Sequence, residues 1–190
     1  MHPSLVVATS PGSRAAAAFQ QLRATVEAAG PALKTVGAAS PAILDSADAI
    51  LPNLAIALAQ NGHSVILVDA DPDVATAAVL FEAPLPANAG MTAGEESGVP
   101  GLSLLSYASL ARADAAKLLE DLKATVEYVL VRTPTALDNA TMLTFAPLLD
   151  GVVLVLEGDL TTVDEAERAK ALLTQLHANV LGIVFTNAAP

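Results

Sequence analysis

Asn53-Leu54-Ala55-Ile56-Ala57-Leu58-Ala59-Gln60-Asn61-Gly62-His63-Ser64-Val65-Ile66-Leu67-Val68-Asp69-Ala70-Asp71 is the stretch that decides the fold. It opens as an apolar helix, stops at an Asn-Gly pair suited to a left-handed cap, and continues into four consecutive apolar residues ending on acids. A strand that is apolar at every position belongs in the middle of a parallel sheet, where helices cover both faces. The same grammar extends outward in both directions. Strands are expected at Thr35–Ala39, Ser64–Asp69, Leu102–Ser106, Tyr128–Arg132, Gly151–Glu157 and Val180–Asn187. Helices are expected between them at about Ser46–Gln60, Pro72–Phe81, Ala113–Thr125, Asn139–Leu148 and Thr162–Leu176. Alternating β and α units of this length predict an α/β fold, doubly wound, with a mainly parallel sheet between two helical layers.

Local chemistry supports several boundaries. Asp71-Pro72 puts an N-cap acid before a proline, and Thr161 or Thr162 ahead of Asp164 and Glu165 puts acids in a first turn. Pro52 falls inside an expected helix and removes a backbone donor, so it should kink that helix or delay its start. A further helix, about residues 13–28, precedes the sheet and carries Phe19, Leu22 and Val26 as an apolar stripe. Residues 83–101 are rich in Ala, Gly and Pro without a period and read as a mobile surface loop. With 190 residues and no internal repeat or linker, residues 1–190 are expected to form one domain.

Composition excludes several classes of function. There are 9 Lys and Arg against 20 Asp and Glu, a formal charge of -11, which opposes phosphate backbones and anionic lipid. Aromatic residues are only 3%, too few for a base-stacking platform, so no nucleic-acid partner is expected. The absence of cysteine removes disulfides, thiolate zinc sites and cysteine nucleophiles. His2, His63 and His177 lack ligand spacing, and no metal site is expected. No apolar run approaches the length that spans a bilayer, and the N-terminus lacks a signal-peptide pattern; a cytoplasmic protein without membrane insertion is the expectation.

The order of segments carries a resemblance. Ser40-Pro41 closes a strand, Asn53 through Gly62 follows, and then comes Val65-Ile66-Leu67-Val68-Asp69-Ala70-Asp71. Further on stand Tyr128-Val129-Leu130-Val131-Arg132-Thr133-Pro134, Ala146-Pro147-Leu148-Leu149-Asp150-Gly151-Val152-Val153-Leu154-Val155 and Asn179-Val180-Leu181-Gly182-Ile183-Val184. This series resembles the deviant-Walker P-loop ATPases of the ParA/MinD type, and within them the cytoplasmic domains of the bacterial tyrosine kinases of capsule and exopolysaccharide synthesis. Ala18-Phe19-Gln20-Gln21-Leu22-Arg23 is similar to the helix that precedes the sheet in those kinases.

The departures from that pattern fall on its chemistry. A P-loop needs glycines so that backbone donors can converge on phosphate, and a lysine to add charge. Matched on Asn53-Leu54-Ala55, Leu44 and Ser46 stand where the family has glycines, Ala47 where it has lysine, and Asp48 where a hydroxyl holds magnesium. Arg132 stands at the Walker B aspartate, while Asp69 and Asp71 of the extra acidic motif remain. These changes suggest a self-neutralised site in which Asp48 takes the position of phosphate and Arg132, beside Asp69 and Asp71, replaces the charge of magnesium. Asp45 and Asp48 otherwise read as acids at a helix start. The family's C-terminal tyrosine cluster has no counterpart, and of its oligomerisation motif only Arg23 matches, beside Phe19 on the same helix.

The resemblance then implies a catalytically inactive relative of these kinases, without cofactor. It would act as a regulatory or scaffolding partner in capsule, exopolysaccharide or lipopolysaccharide biosynthesis and export. Its partner would be a protein, with a membrane polysaccharide co-polymerase as the type, recruiting it to the inner face of the membrane, and homo-oligomers are compatible with the helix. Two alternatives accompany this expectation. One is a residual ATPase or tyrosine kinase binding Mg-ATP, with Asp69 and Asp71 engaging the metal; the other is a cell-positioning pseudo-ATPase resembling septum- and pilus-localisation proteins.

Overall fold

The computed structural model describes residues 1–71, 76–83, 95–106, 112–133, 137 and 139–186. Its centre is a seven-stranded sheet built from β1 (Thr35–Ala39), β2 (Val65–Asp69), β3 (Glu95–Glu96), β4 (Leu102–Ser106), β5 (Tyr128–Arg132), β6 (Gly151–Glu157) and β7 (Val180–Thr186). The order is β3-β4-β2-β5-β1-β6-β7, parallel except for β3, which runs antiparallel to β4. Every residue of β1, β2 and β5 is buried. Val65 and Leu67 join one core with Val36 and Ala38, whereas Ile66 and Val68 join a second core with Val129 and Val131. Burial on both faces is why these strands contain no polar alternation.

The first core is covered by α1 (Val6–Thr9), α2 (Arg14–Ala28), α3 (Ile50–Gln60) and α4 (Thr76–Phe81). The second is covered by α5 (Arg112–Lys123), α6 (Ala140–Phe145) and α7 (Val163–Gln175). All ten residues before Gln60 in α3 are buried, because α1 and α2 pack outside that helix. Asn53 makes this second layer possible. Its Oδ1 accepts the Val7 amide at 3.0 Å, and its Nδ2 donates to the Ser4 and Ala49 carbonyls at 2.8 and 2.9 Å.

Pro52 delays the helix rather than kinking it. Residues Asp45–Ala49 form a 3-10 turn, and Pro52 is the third residue of α3, where a missing amide hydrogen costs nothing because no intrahelical acceptor faces it. Gly62, at φ +94°, ends that helix as the Asn-Gly pair predicts. Thr162 and Glu165 form a reciprocal capping box on α7, and the Ser13 and Asn139 side chains cap α2 and α6.

Three expectations need correction. Helix α1 was not expected, since four residues are too few to show a period. The segment expected as one loop over 83–101 contains β3, with Glu95 opposite Leu104 and Glu96 opposite Ser103; two residues cannot display alternation. The stretch expected as one helix over 139–148 changes to a 3-10 turn at Ala146–Leu148, where Pro147 lies. Pro72, Tyr107, residues 84–94 and Asn187 lie outside the described residues.

Candidate functional site

The C-terminal ends of the strands converge on the connection between β1 and α3, the position of a phosphate loop in this topology. Asp69 and Arg132 are the last residues of adjacent strands, in direct register. Arg132 Nη1 donates to Asp69 Oδ1 at 2.8 Å and to Asp71 Oδ2 at 3.2 Å, while Nη2 donates to Asp48 Oδ1 at 2.9 Å. The guanidinium is 3% exposed and Asp69 only 1%. Arg132 Nε is buried with no partner among the described residues. One cation thus sits among three carboxylates from two segments, Asp69 and Asp71 at the end of β2 and Asp48 in the turn before α3.

Asp69 is held further by backbone donors. Its Oδ2 accepts the Ala77 amide at 2.7 Å and its Oδ1 the Asp71 amide at 3.4 Å, tying the end of β2 to the first turn of α4. Burial pushes the Asp69 carboxyl above its ordinary range, against the pull of Arg132 and these amides. Burial also opposes the charged form of Arg132, but Asp69 and Asp48 outweigh it and hold the guanidinium firmly protonated.

The connecting loop does not have the form of an anion cradle. Leu44 is extended and buried, and no residue from Ser40 to Asp48 has positive φ, so the alternating right- and left-handed backbone of an anion nest is absent there. Ala47 is buried among apolar neighbours. Ser46 turns away from the arginine: its Oγ donates to Glu157 Oε2 at 2.7 Å and pairs with Thr186 Oγ1 at 2.8 Å. Ser40 Oγ donates to the Ala42 carbonyl and closes the loop on itself. Asp45 and Asp48 bring negative charge to the helix start that a phosphate would need. Among the described residues, this loop, with neither a glycine nor a lysine, does not fit a nucleoside triphosphate with magnesium. Among the described residues no group of three or more His, Asp or Glu could hold a metal ion.

The sequence groups Asp48, Asp69, Asp71 and Arg132 as an internal charge replacement and Leu44, Ser46, Ala47 and Asp48 as a vestigial loop; the structure brings the four charged residues together and sends Ser46 elsewhere. Sequence reasoning missed the Ser46–Glu157–Thr186 linkage. The available signal was that Glu157 and Thr186 end adjacent strands in register, which becomes visible only with the strand order. Phe19 packs partly buried against the first core. Arg23 is engaged within its own helix, donating to Glu27 at 2.7 and 2.8 Å and to Gln20 at 3.0 Å. The histidines are dispersed: His2 contacts Ser4, His63 lies between Glu27 and Glu127 against the edge of Tyr128, and His177 follows α7 with φ +57°.

No family model matches the chain. It is similar to the putative tyrosine-protein kinase CapB of Staphylococcus aureus, with 24% identity over 151 residues, covering 70% of this chain and 65% of that protein. It thus spans about two thirds of the length of that curated relative. Among solved structures, the chimerical protein CapA2B2 superposes with a TM-score of 0.87 at 22% identity, covering 100% of this chain and 92% of the other. The kinase domain of the Escherichia coli tyrosine kinase ETK superposes at 0.85 with 18% identity, covering 98% and 82%. Septum-site MinD proteins and a ParA family ATPase share the fold at TM-scores from 0.65 to 0.67. The fold is that of the bacterial tyrosine kinase domains within the MinD and ParA P-loop group, and the resemblance read from the sequence stands.

Proposed function

We propose that this chain is a nucleotide-independent relative of the capsule tyrosine kinases. It acts as a scaffolding or regulatory partner in exopolysaccharide, capsule or lipopolysaccharide synthesis and export, working at the cytoplasmic side of the membrane. Its partner is a protein of the polysaccharide co-polymerase type. Likeness to CapB and to kinase domains of this fold supports the pathway. The single observation that supports a loss of nucleotide binding is the bonding of Arg132 to Asp48, Asp69 and Asp71 at 2.8 to 3.2 Å, at the strand ends beside the connection between β1 and α3.

The energetics favour self-neutralisation over ligand. Opposite charges about 4 Å apart at an effective dielectric near 20 attract by roughly 4 kcal/mol before desolvation. A triphosphate would have to displace Arg132 from its acids and then lie beside Asp48 without a lysine to balance it. Calorimetry of the purified chain with Mg-ATP tests this reading. No heat of binding is expected up to millimolar nucleotide, and saturable binding below millimolar would overturn it.

A further inference from the structure

The last strand of the sheet has no neighbour on its outer side among the described residues, since β7 pairs only with β6. Its seven residues, Val180-Leu181-Gly182-Ile183-Val184-Phe185-Thr186, include no charge and no proline. Sheet edges left open in this way are normally blunted by lysine, proline, a bulge or a covering segment, because unpaired backbone groups recruit other strands. The bulge in β7 lies at its start, between the pairs at Val152 and Val153, and leaves Ile183 to Thr186 regular.

Backbone alternation identifies the free groups. The Thr186 carbonyl accepts from Gly158, toward β6. In a parallel ladder successive residues turn their amide and carbonyl to opposite sides, so Val184 also faces β6, whereas Ile183 and Phe185 face outward. These two residues are also the exposed large apolar side chains of the strand, at 51% and 63%. Beside β7 a groove of about 660 Å³ runs toward α2, lined by Phe19, Leu22, Leu181 and Val184, with Ser46 and Thr186 at one end.

We propose that the outer edge of β7 takes an extended segment of a partner protein as an added strand, one that alternates apolar residues and carries Lys or Arg at one end. Main-chain bonds to Ile183 and Phe185 supply affinity, and apolar side chains reaching the groove supply selectivity. Charge identifies the occupant. Beside Thr186, the end of β6 and the connection after it carry Glu157 and Asp159, and the first turns of α7 add Asp164, Glu165 and Glu167 against Arg168 and Lys170; Asp164 is paired with Arg168 and Glu165 caps α7, and an excess of acid remains. A basic end complements that cluster, whereas a second copy of this chain, also at -11, is repelled by it. The inference does not depend on whether the chain binds nucleotide.

The test uses the whole chain and a labelled, blocked peptide, Lys-Lys-Thr-Ile-Thr-Val-Thr-Ile, followed by fluorescence anisotropy. A companion peptide has Glu-Glu in place of Lys-Lys. Saturable binding of the basic peptide is expected, at least about tenfold tighter than the acidic one. Ile183→Pro removes an outward amide without touching the β6 ladder, and Phe185→Lys adds a charge at the edge. Each should weaken the basic peptide at least about fivefold while circular dichroism is unchanged; Phe185→Lys decides if the proline variant does not fold. Failure of the wild-type chain to saturate, equal affinity for both peptides, or indifference to Phe185→Lys would overturn the proposal. So would a dimer in light scattering that Phe185→Lys dissolves, since the occupant would then be a second copy.

Discussion

Arg132 is the residue on which the largest single effect should fall. Removing it leaves Asp69 almost wholly buried beside Asp71 and Asp48 with no counter-charge, and breaking a buried pair from one side typically costs about 3–5 kcal/mol. Arg132→Ala should therefore lower the urea midpoint and the melting temperature strongly, and an unchanged melt would remove the case for an internal counter-ion. The group was legible in the sequence because each member departs from, or keeps, a position with an assigned task in the resembling family. The Asn53 anchor and the His63 contacts were not, since their partners lie 46, 36 and 64 residues away on other elements with no spacing to announce them. A polar side chain reveals its partner in sequence only when a motif or a helical period fixes the distance, and neither does so here.

Elements are joined by a few charged contacts whose strength can be read against pH. Asp150, just before β6, accepts the Lys34 and Thr35 amides at 3.0 and 2.8 Å at the entrance to β1 and lies 3.4 Å from Lys123. Burial alone would raise its pKa, but those amides and Lys123 together hold it below the ordinary carboxylate range. The folded chain thus binds this proton less readily than the unfolded chain, so the contribution is complete above the ordinary Asp value and fades as pH falls through the depressed one. Asp150→Ala should cost about 2–3 kcal/mol at neutral pH, and denaturation curves of the two proteins should draw together in acid. On α7, Thr162→Ala breaks the capping box and should cost about 1 kcal/mol in the same measurement. Strand limits were readable almost to the residue because continuous apolar runs end at polar ones, as at Asp69 and Arg132. The late start of α3 was legible from Pro52, but the form it takes, a 3-10 turn over Asp45–Ala49 with Ser46 bonded to Glu157 and Thr186, was not, because no local pattern contains those tertiary bonds.

Across the whole molecule, the sheet and both helical layers have the fold of the MinD and ParA group, and the proposed loss of nucleotide binding rests on a handful of side chains. Leu44→Gly, Ser46→Gly, Ala47→Lys, Asp48→Ser and Arg132→Asp, introduced together, should give a chain that still folds by circular dichroism and gains Mg-ATP binding by calorimetry. Continued absence of binding would place the loss in the backbone path of the loop as well. The guanidinium at the strand ends has one more effect, on mass action. A fold completed by a dissociable ligand gains stability that grows with the logarithm of free ligand and declines when the ligand is scarce. A counter-ion carried on the chain itself is present at a fixed effective concentration, so the melting temperature should be the same in nucleotide-free buffer and at millimolar Mg-ATP. On the proposed reading, the conformation of this loop does not follow the supply of nucleotide.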